Sequence, residues 1–271
     1  MKVSLIQMNS VPDKAQNCAD ADRMARQAVD QDNAELVIFP EHFDWHGGTV
    51  AQKVAAGEGF QGGPAYDMCR KLAVDCGIHV HTGSFYETTE DKKRVYNTSV
   101  VFNPKGEEIG RYRKIHLFDI TTPDGLRYGE SDAVSAGAEA VVVDVNGFRI
   151  GLAICYDLRF PELFQQLAKK GADVMVLPAA FTLQTGKDHW DVLCRARAIE
   201  TQSYFLAAAM VGQFDHVGEK RHTYGHSLIC DPWGHIIAKA SDEVGPVSAR
   251  LNMALIAKVR KEIPLQSHKV L

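Results

Sequence analysis

The sequence predicts an α/β fold, a four-layer α-β-β-α sandwich with an internal pseudo-two-fold duplication. Short, nearly continuous apolar runs such as "ELVIFPE" and "ADVMVLP" alternate with segments of helical period, which is how strands covered on both faces read. The halves also repeat: "AELVIFPE" matches "ADVMVLPAAF", and "NTSVVFNPKGEEIGRYRK" matches "GHSLICDPWGHIIAKA". No low-complexity linker divides the 271 residues, so the chain reads as a single domain, 1–271. Two similar halves, each a mixed sheet with helices beside it, bury most apolar surface when sheet stacks on sheet and the helices stay outside.

Taken in order, "VSLIQM" predicts a strand, and residues 14–31 follow a helical period through Cys18, Ala21, Ala25, Ala28 and Val29. "ELVIFPE" is a buried strand, residues 64–76 a helix with Met68, Leu72, Ala73 and Cys76 on one side, and "GIHVHTGSFYE" is strand-like again. A hairpin follows, turning at Asn103, Pro104, Lys105 and Gly106. In the second half "FRIGLAICYD" is a strand and 161–170 a helix stopped by Gly171. "ADVMVLPAAF" is a strand, 187–201 a helix and "SYFLAAAM" a strand, with a closing hairpin around Asp231, Pro232, Trp233 and Gly234.

Composition narrows the function classes. At 45% hydrophobic, 24% charged and a net charge of −4, the chain has no basic excess for nucleic acid or an acidic membrane surface. No apolar run approaches the roughly 20 residues a membrane helix needs. "MKVSLIQMNS" alternates like a strand and lacks a signal-peptide core. The six cysteines are scattered without a C-x-x-C pair, which argues against a disulfide framework. The expectation is a reduced, cytoplasmic protein.

Three chemistry-bearing residues fall at or just beyond strand ends, where open α/β sheets bind ligands. Cys155 ends the "RIGLAIC" strand. It is either a buried core thiol or a nucleophile, which a base or cation must activate. In the second case the helix opening near Pro161 directs its positive end toward the sulfur, and the N–H that follows, that of Tyr156, is an oxyanion donor. Glu41, in "VIFPEHFDW", is a solvated loop carboxylate or, if desolvated in a pocket, an acid of raised pKa able to carry a proton near neutral pH. Lys114, in "GRYRKIHLFDI", belongs to a solvated basic turn or supplies an ammonium that lowers the thiol pKa and stabilises an oxyanion.

Other constellations lead nowhere. The H-x-H pair His79 and His81 has no downstream ligand set of a metal-dependent barrel hydrolase, so no metal is expected. Cys155 lacks the small flanking residues and the late H-x-E of a Cys-His amidotransferase. "GEGFQGG" lacks the Lys-Ser/Thr sequel of a phosphate loop.

Together, "FPE" ending at Glu41, "YRKIHLFD" around Lys114 and "ICYDLRFPEL" around Cys155 resemble, in order, the motifs of the nitrilase, or carbon–nitrogen hydrolase, superfamily. "PAAFTLQTGKDHW", "RARAIETQSYFLAAA" and "YGHSLICDPWG" extend the resemblance over nearly the whole chain, toward the branch holding deaminated glutathione amidase and omega-amidase. The resemblance implies a Glu41–Lys114–Cys155 triad and a second glutamate, Glu130, positioning the lysine and substrate. It implies a homodimer and no organic or metal cofactor. The implied reaction is thiol-dependent cleavage of a terminal amide C–N bond in a small carboxylate-bearing substrate, deaminated glutathione or an α-keto ω-amide. It passes through a cysteine thioester and releases ammonia.

Such a substrate needs a cation, and Arg159 is the candidate, with bracing of the elbow as its alternative. Phe181 and Thr185 either line the pocket or only pack. A nitrilase, an N-carbamoyl amino-acid hydrolase and a non-catalytic scaffold on the same fold are the competing readings.

Overall fold

A computed structural model describes residues 1–121, 125 and 127–270. Two mixed sheets form its centre. In the first, the order is Gly245–Arg250, Lys2–Gln7, Leu36–Ile38, His79–His81 and then Val95–Phe102, which also pairs with Phe85–Thr88, Glu108–Arg113 and Val134–Ser135. In the second, the order is Val142–Val145, Phe148–Leu152, Val174–Ala179, Tyr204–Ala209, Leu228–Cys230 and Ile236–Lys239. Each sheet therefore has an antiparallel edge strand, three parallel strands and an antiparallel hairpin, which is the predicted duplication written in topology.

Strand periodicity explains how each sheet is covered. In Leu36–Ile38, Leu36 and Ile38 join the core shared with the second sheet. Val37, between them, faces the opposite way, into a second core with Ala21, Ala25 and Ala28 of helix Lys14–Asp32 and Leu72 of helix Pro64–Cys76. On the far side, Leu163 and Leu167 of helix Pro161–Lys169 and Cys194 and Ala198 of helix Leu183–Thr201 pack on the second sheet. The layers are helix, sheet, sheet, helix.

The predicted helix over 187–201 begins earlier, at Leu183, because the Thr182 hydroxyl accepts from the Thr185 N–H and caps it. The two antiparallel edge strands and the hairpin Val211–His216/Glu219–Tyr224 were not anticipated. The hairpin's second strand, EKRHTY, is charged and mostly exposed, so no apolar alternation announces it. Helix Met253–Glu262 docks on the second half through Ile256 and an Arg260–Asp173 ion pair at 2.8 Å.

Candidate active site

The site forms where strand ends of the two halves meet. Leu36–Ile38 runs into the turn Phe39–Pro40–Glu41, and the equivalent strand of the second half, Val174–Ala179, ends beside it. The Ala180 N–H donates to Glu41 Oε2 at 2.9 Å, so the pseudo-symmetric strand ends are tied through the glutamate itself. Gly83 holds the other side of that turn. Its φ is +62°, and an added Cβ would lie 2.1 Å from the Pro40 carbonyl oxygen.

Cys155 leaves the strand Phe148–Leu152 at φ +47°, a left-handed conformation uncommon for a non-glycine residue. The residues after it form a 3₁₀ turn, Cys155–Arg159, and the α-helix begins only at Pro161. The first donors beyond the sulfur thus belong to that turn, not to the helix expected from sequence. Its first hydrogen bond runs from the Asp157 N–H to the Ile154 carbonyl at 3.0 Å, which leaves the Tyr156 N–H outside the turn's own ladder.

Buried Asp157 fixes the elbow. Oδ2 accepts from the Ile154 N–H at 2.8 Å and the Tyr112 hydroxyl at 2.6 Å, and Oδ1 accepts from the His116 N–H at 3.1 Å. One carboxylate therefore locks the segment carrying Cys155 to the segment carrying Lys114.

Lys114 follows directly on the strand Glu108–Arg113 and is 1% exposed. Its Nζ donates to Glu41 Oε1 at 2.9 Å and to Glu130 Oε1 and Oε2 at 3.0 and 2.8 Å. Asn97 Nδ2 donates to Glu41 Oε1 at 2.9 Å and Glu130 Oε1 at 3.2 Å, and the Phe118 N–H donates to Glu130 Oε2 at 2.7 Å. The Cys155 thiol lines the same cavity as the Glu41 carboxylate, near enough for each to shift the other's ionisation. All four residues singled out for chemistry thus meet at the floor of one cavity of about 270 Å³, and Tyr156, Arg159, Phe181 and Thr185 line its walls. Arg159 Nη1 lies 3.2 Å from His189 Nδ1, with its guanidinium carbon 5.3 Å from the Phe181 ring centre.

The electrostatics assign the resting protons. Burial pushes the Glu41 carboxyl up, but Lys114, His42 and Cys155 nearby prevail, holding it low, at about 2. The pKa rise expected from desolvation is therefore reversed. Burial, and next the Glu41 charge, pushes the Cys155 thiol well up, with Lys114 opposing. Burial works against the Lys114 charge, yet Glu130, Glu41 and Cys155 hold its pKa well above the usual lysine range. The resting group is carboxylate, ammonium and thiol.

Glu41, His42 and Glu130 place ligand atoms within 4.8 Å of one another. Lys114 Nζ already bonds both carboxylates, and burial drives the His42 imidazole down to about 4. The positive charge that a metal ion would bring is already supplied by the lysine. The H-x-H pair lies elsewhere, in the strand His79–His81, with His81 Nδ1 accepting from the Gly83 N–H at 3.0 Å.

Sequence reading missed Asn97, Asp157, His42 and the backbone donors of Phe118 and Ala180. Asn97 sits in "YNTSV", followed by Thr98 and Ser99, which are equally buried, so polarity within the strand did not single it out. The backbone donors leave no trace in side-chain identity.

The carbon–nitrogen hydrolase family model matches residues 2–261. The chain belongs to the carbon–nitrogen hydrolase family. It is 40% identical to a deaminated glutathione amidase of Synechocystis over 98% of this chain and 96% of that one. It is 36% identical to an omega-amidase of Xenopus laevis over 99% and 94%. The crystal structure of the C. elegans NitFhit protein superposes with a TM-score of 0.91 at 35% identity over 99% of this chain, which spans 65% of that longer protein. As a carbon–nitrogen hydrolase the chain is an enzyme, and among its described residues no helix is long and apolar enough to cross a membrane.

Proposed function

We propose that this carbon–nitrogen hydrolase is a thiol amidase that cleaves an amide C–N bond in a small carboxylate-bearing substrate through a cysteine thioester. The observation that carries the reading is Glu41, whose carboxylate accepts from the Lys114 ammonium at 2.9 Å and shares one cavity floor with the Cys155 thiol. Cys155 attacks the amide carbonyl while Glu41 takes the thiol proton. Lys114 and the Tyr156 N–H stabilise the tetrahedral oxyanion. Glu41 returns the proton to the departing amine, then draws one from the water that hydrolyses the thioester. Because the resting sulfur is a thiol, proton transfer accompanies attack. Glu130 and Asn97 keep Lys114 and Glu41 in register.

Arg159 is the proposed partner of the acyl-side carboxylate, with Phe181 and Thr185 beside it. Leaving groups differ among candidate substrates. An α-keto ω-amide releases ammonia, whereas deaminated glutathione, cleaved at its γ-amide, releases a dipeptide amine. We also propose that the chain forms one domain and assembles as a homodimer. Val192, Ile199, Trp233 and Ile237 are exposed on helix Leu183–Thr201 and the hairpin beside it, an apolar face suited to a second copy.

The test of the chemistry is a single-turnover reaction followed by mass spectrometry. An acyl adduct on the Cys155 peptide, absent in Cys155→Ala, is the expected result. Normal turnover by Cys155→Ala removes the thioester pathway.

A further inference from the structure

The cavity holds more positive charge than the chemistry at its floor uses. Lys114 there is matched by Glu41 and Glu130. Besides Arg159, and Arg127, which pairs with Asp132, two more cations line it from elements outside the duplicated core, Lys53 from helix Val50–Ala55 and Arg221 from strand Glu219–Tyr224. The Arg221 side chain is 10% exposed, and its only carboxylate contact among the described residues is Glu219, 3.4 Å away and itself 62% exposed. Arg221 Nε is buried with no hydrogen-bond partner. Lys53 makes no ion pair among the described residues; burial lowers its pKa, Glu130 opposes that, and Arg221 lowers it further.

Carboxylates nearby are committed elsewhere. Both Glu130 oxygens accept from Lys114, and Asp132 accepts from Arg127 at 3.0 and 3.2 Å. Two desolvated like charges on one cavity, with an orphaned guanidinium nitrogen, are unfavourable when empty and complementary to an anion.

A row of rings relates this cluster to Arg159. The Arg221 guanidinium carbon lies 4.5 Å from the Tyr128 ring centre, Tyr128 is 5.2 Å from Phe118, and Phe118 is 5.0 Å from Tyr156. Arg159 closes the row, 5.9 Å over Tyr156. The two arginines thus terminate opposite ends of a three-ring wall. If Arg159, on the Cys155 elbow, takes the acyl-side carboxylate, the other end faces the leaving group.

We infer that Lys53 and Arg221 form a second carboxylate subsite, which receives the leaving-amine half of the substrate. The preferred substrate is then an amide whose amine portion ends in a carboxylate, as in an N-acyl dipeptide, rather than a primary ω-amide. This inference rests on the amidase reading of the same site and deepens it.

The test uses deaminated glutathione and its C-terminal carboxamide, which share acyl group and scissile bond and differ in the distal charge. The wild type is expected to favour the free acid by about 10- to 100-fold in kcat/KM, expressed mainly in KM, the worth of a charged hydrogen bond. In Arg221→Met, and separately in Lys53→Met, that ratio collapses toward unity, and Arg221→Lys keeps part of it. The ratio is internal to each variant, so a loss of folded protein cancels. A wild-type ratio near unity overturns the subsite, as does a ratio preserved in both methionine variants. If the wild type turns over neither these substrates nor an α-keto ω-amide, the amidase reading itself fails; turnover of the ω-amide with no discrimination within the pair removes only the subsite.

Discussion

Replacing Lys114 by methionine removes the ammonium that Glu41 and Glu130 share, at nearly constant volume. In the native protein this ammonium holds the Glu41 carboxyl at about 2, below its ordinary 4.5, so Glu41 contributes stability that is present above pH 4.5 and lost as pH falls through about 2. In Lys114→Met burial is no longer opposed by the ammonium, and the folded-state pKa rises above the unfolded value. The folded variant then binds more protons than the unfolded chain, so its stability falls as pH rises, by about 1.4 kcal/mol per pH unit. With the variant's Glu41 carboxyl protonated throughout, the deficit grows by about 3 kcal/mol from pH 4.5 to 7, on top of the Glu41 contribution that the wild type already has at pH 4.5 and the variant lacks. At about 2–4 °C per kcal/mol for a chain of this size, the Tm deficit should already be present at pH 5 and widen by roughly 5–10 °C by pH 7. Activity should fall at least about 10²- to 10³-fold, the worth of one oxyanion donor. Calorimetry and turnover at matched pH values between 5 and 8 read both quantities. A deficit in Tm that stays flat across this range, or activity within tenfold of wild type, would refute the electrostatic argument.

Other outcomes follow from the same geometry. Glu41→Gln should lower kcat at least about 10²-fold, because the resting thiol then has no base to take its proton as it attacks; steady-state kinetics measure this, and a kcat within tenfold of wild type rejects Glu41 as that base. Asn97→Leu removes a donor shared by Glu41 and Glu130 and should lower kcat about 10- to 100-fold with little change in KM, as kinetics at saturating substrate will show. Tyr112→Phe strips one hydrogen bond from buried Asp157 and should cost about 1–3 kcal/mol in urea unfolding. Gly83→Ala must move the Pro40 carbonyl, 2.1 Å from its Cβ, and should lower both Tm and kcat, since Glu41 follows Pro40 directly.

Much of this architecture was legible because it rests on short-range patterns. Continuous apolar runs marked the parallel strands, a helical period marked the outer helices, and the repeat of both predicted two stacked sheets. The charged hairpin strand Glu219–Tyr224 and the edge strands escaped because water on one side relaxes the demand for apolar residues. For the site, Glu41, Lys114 and Cys155 were named from motifs at strand ends, yet their protonation was misjudged at Glu41. Desolvation alone raises a carboxyl pKa, and only the fold puts an ammonium 2.9 Å away.

Residue order by itself therefore determined which elements form and which side chains stand at their ends, since both depend on neighbours along the chain. Tertiary structure decided what those ends meet. Glu41 and Lys114 lie 73 positions apart in sequence, Glu41 and Ala180 lie 139 apart, and the helix bearing Lys53 faces the same cavity as the hairpin bearing Arg221. Charge coupling depends on distance through space, so the proton on the sulfur, the charge on the glutamate and the open cations of the wall exist only once the two halves have closed on each other.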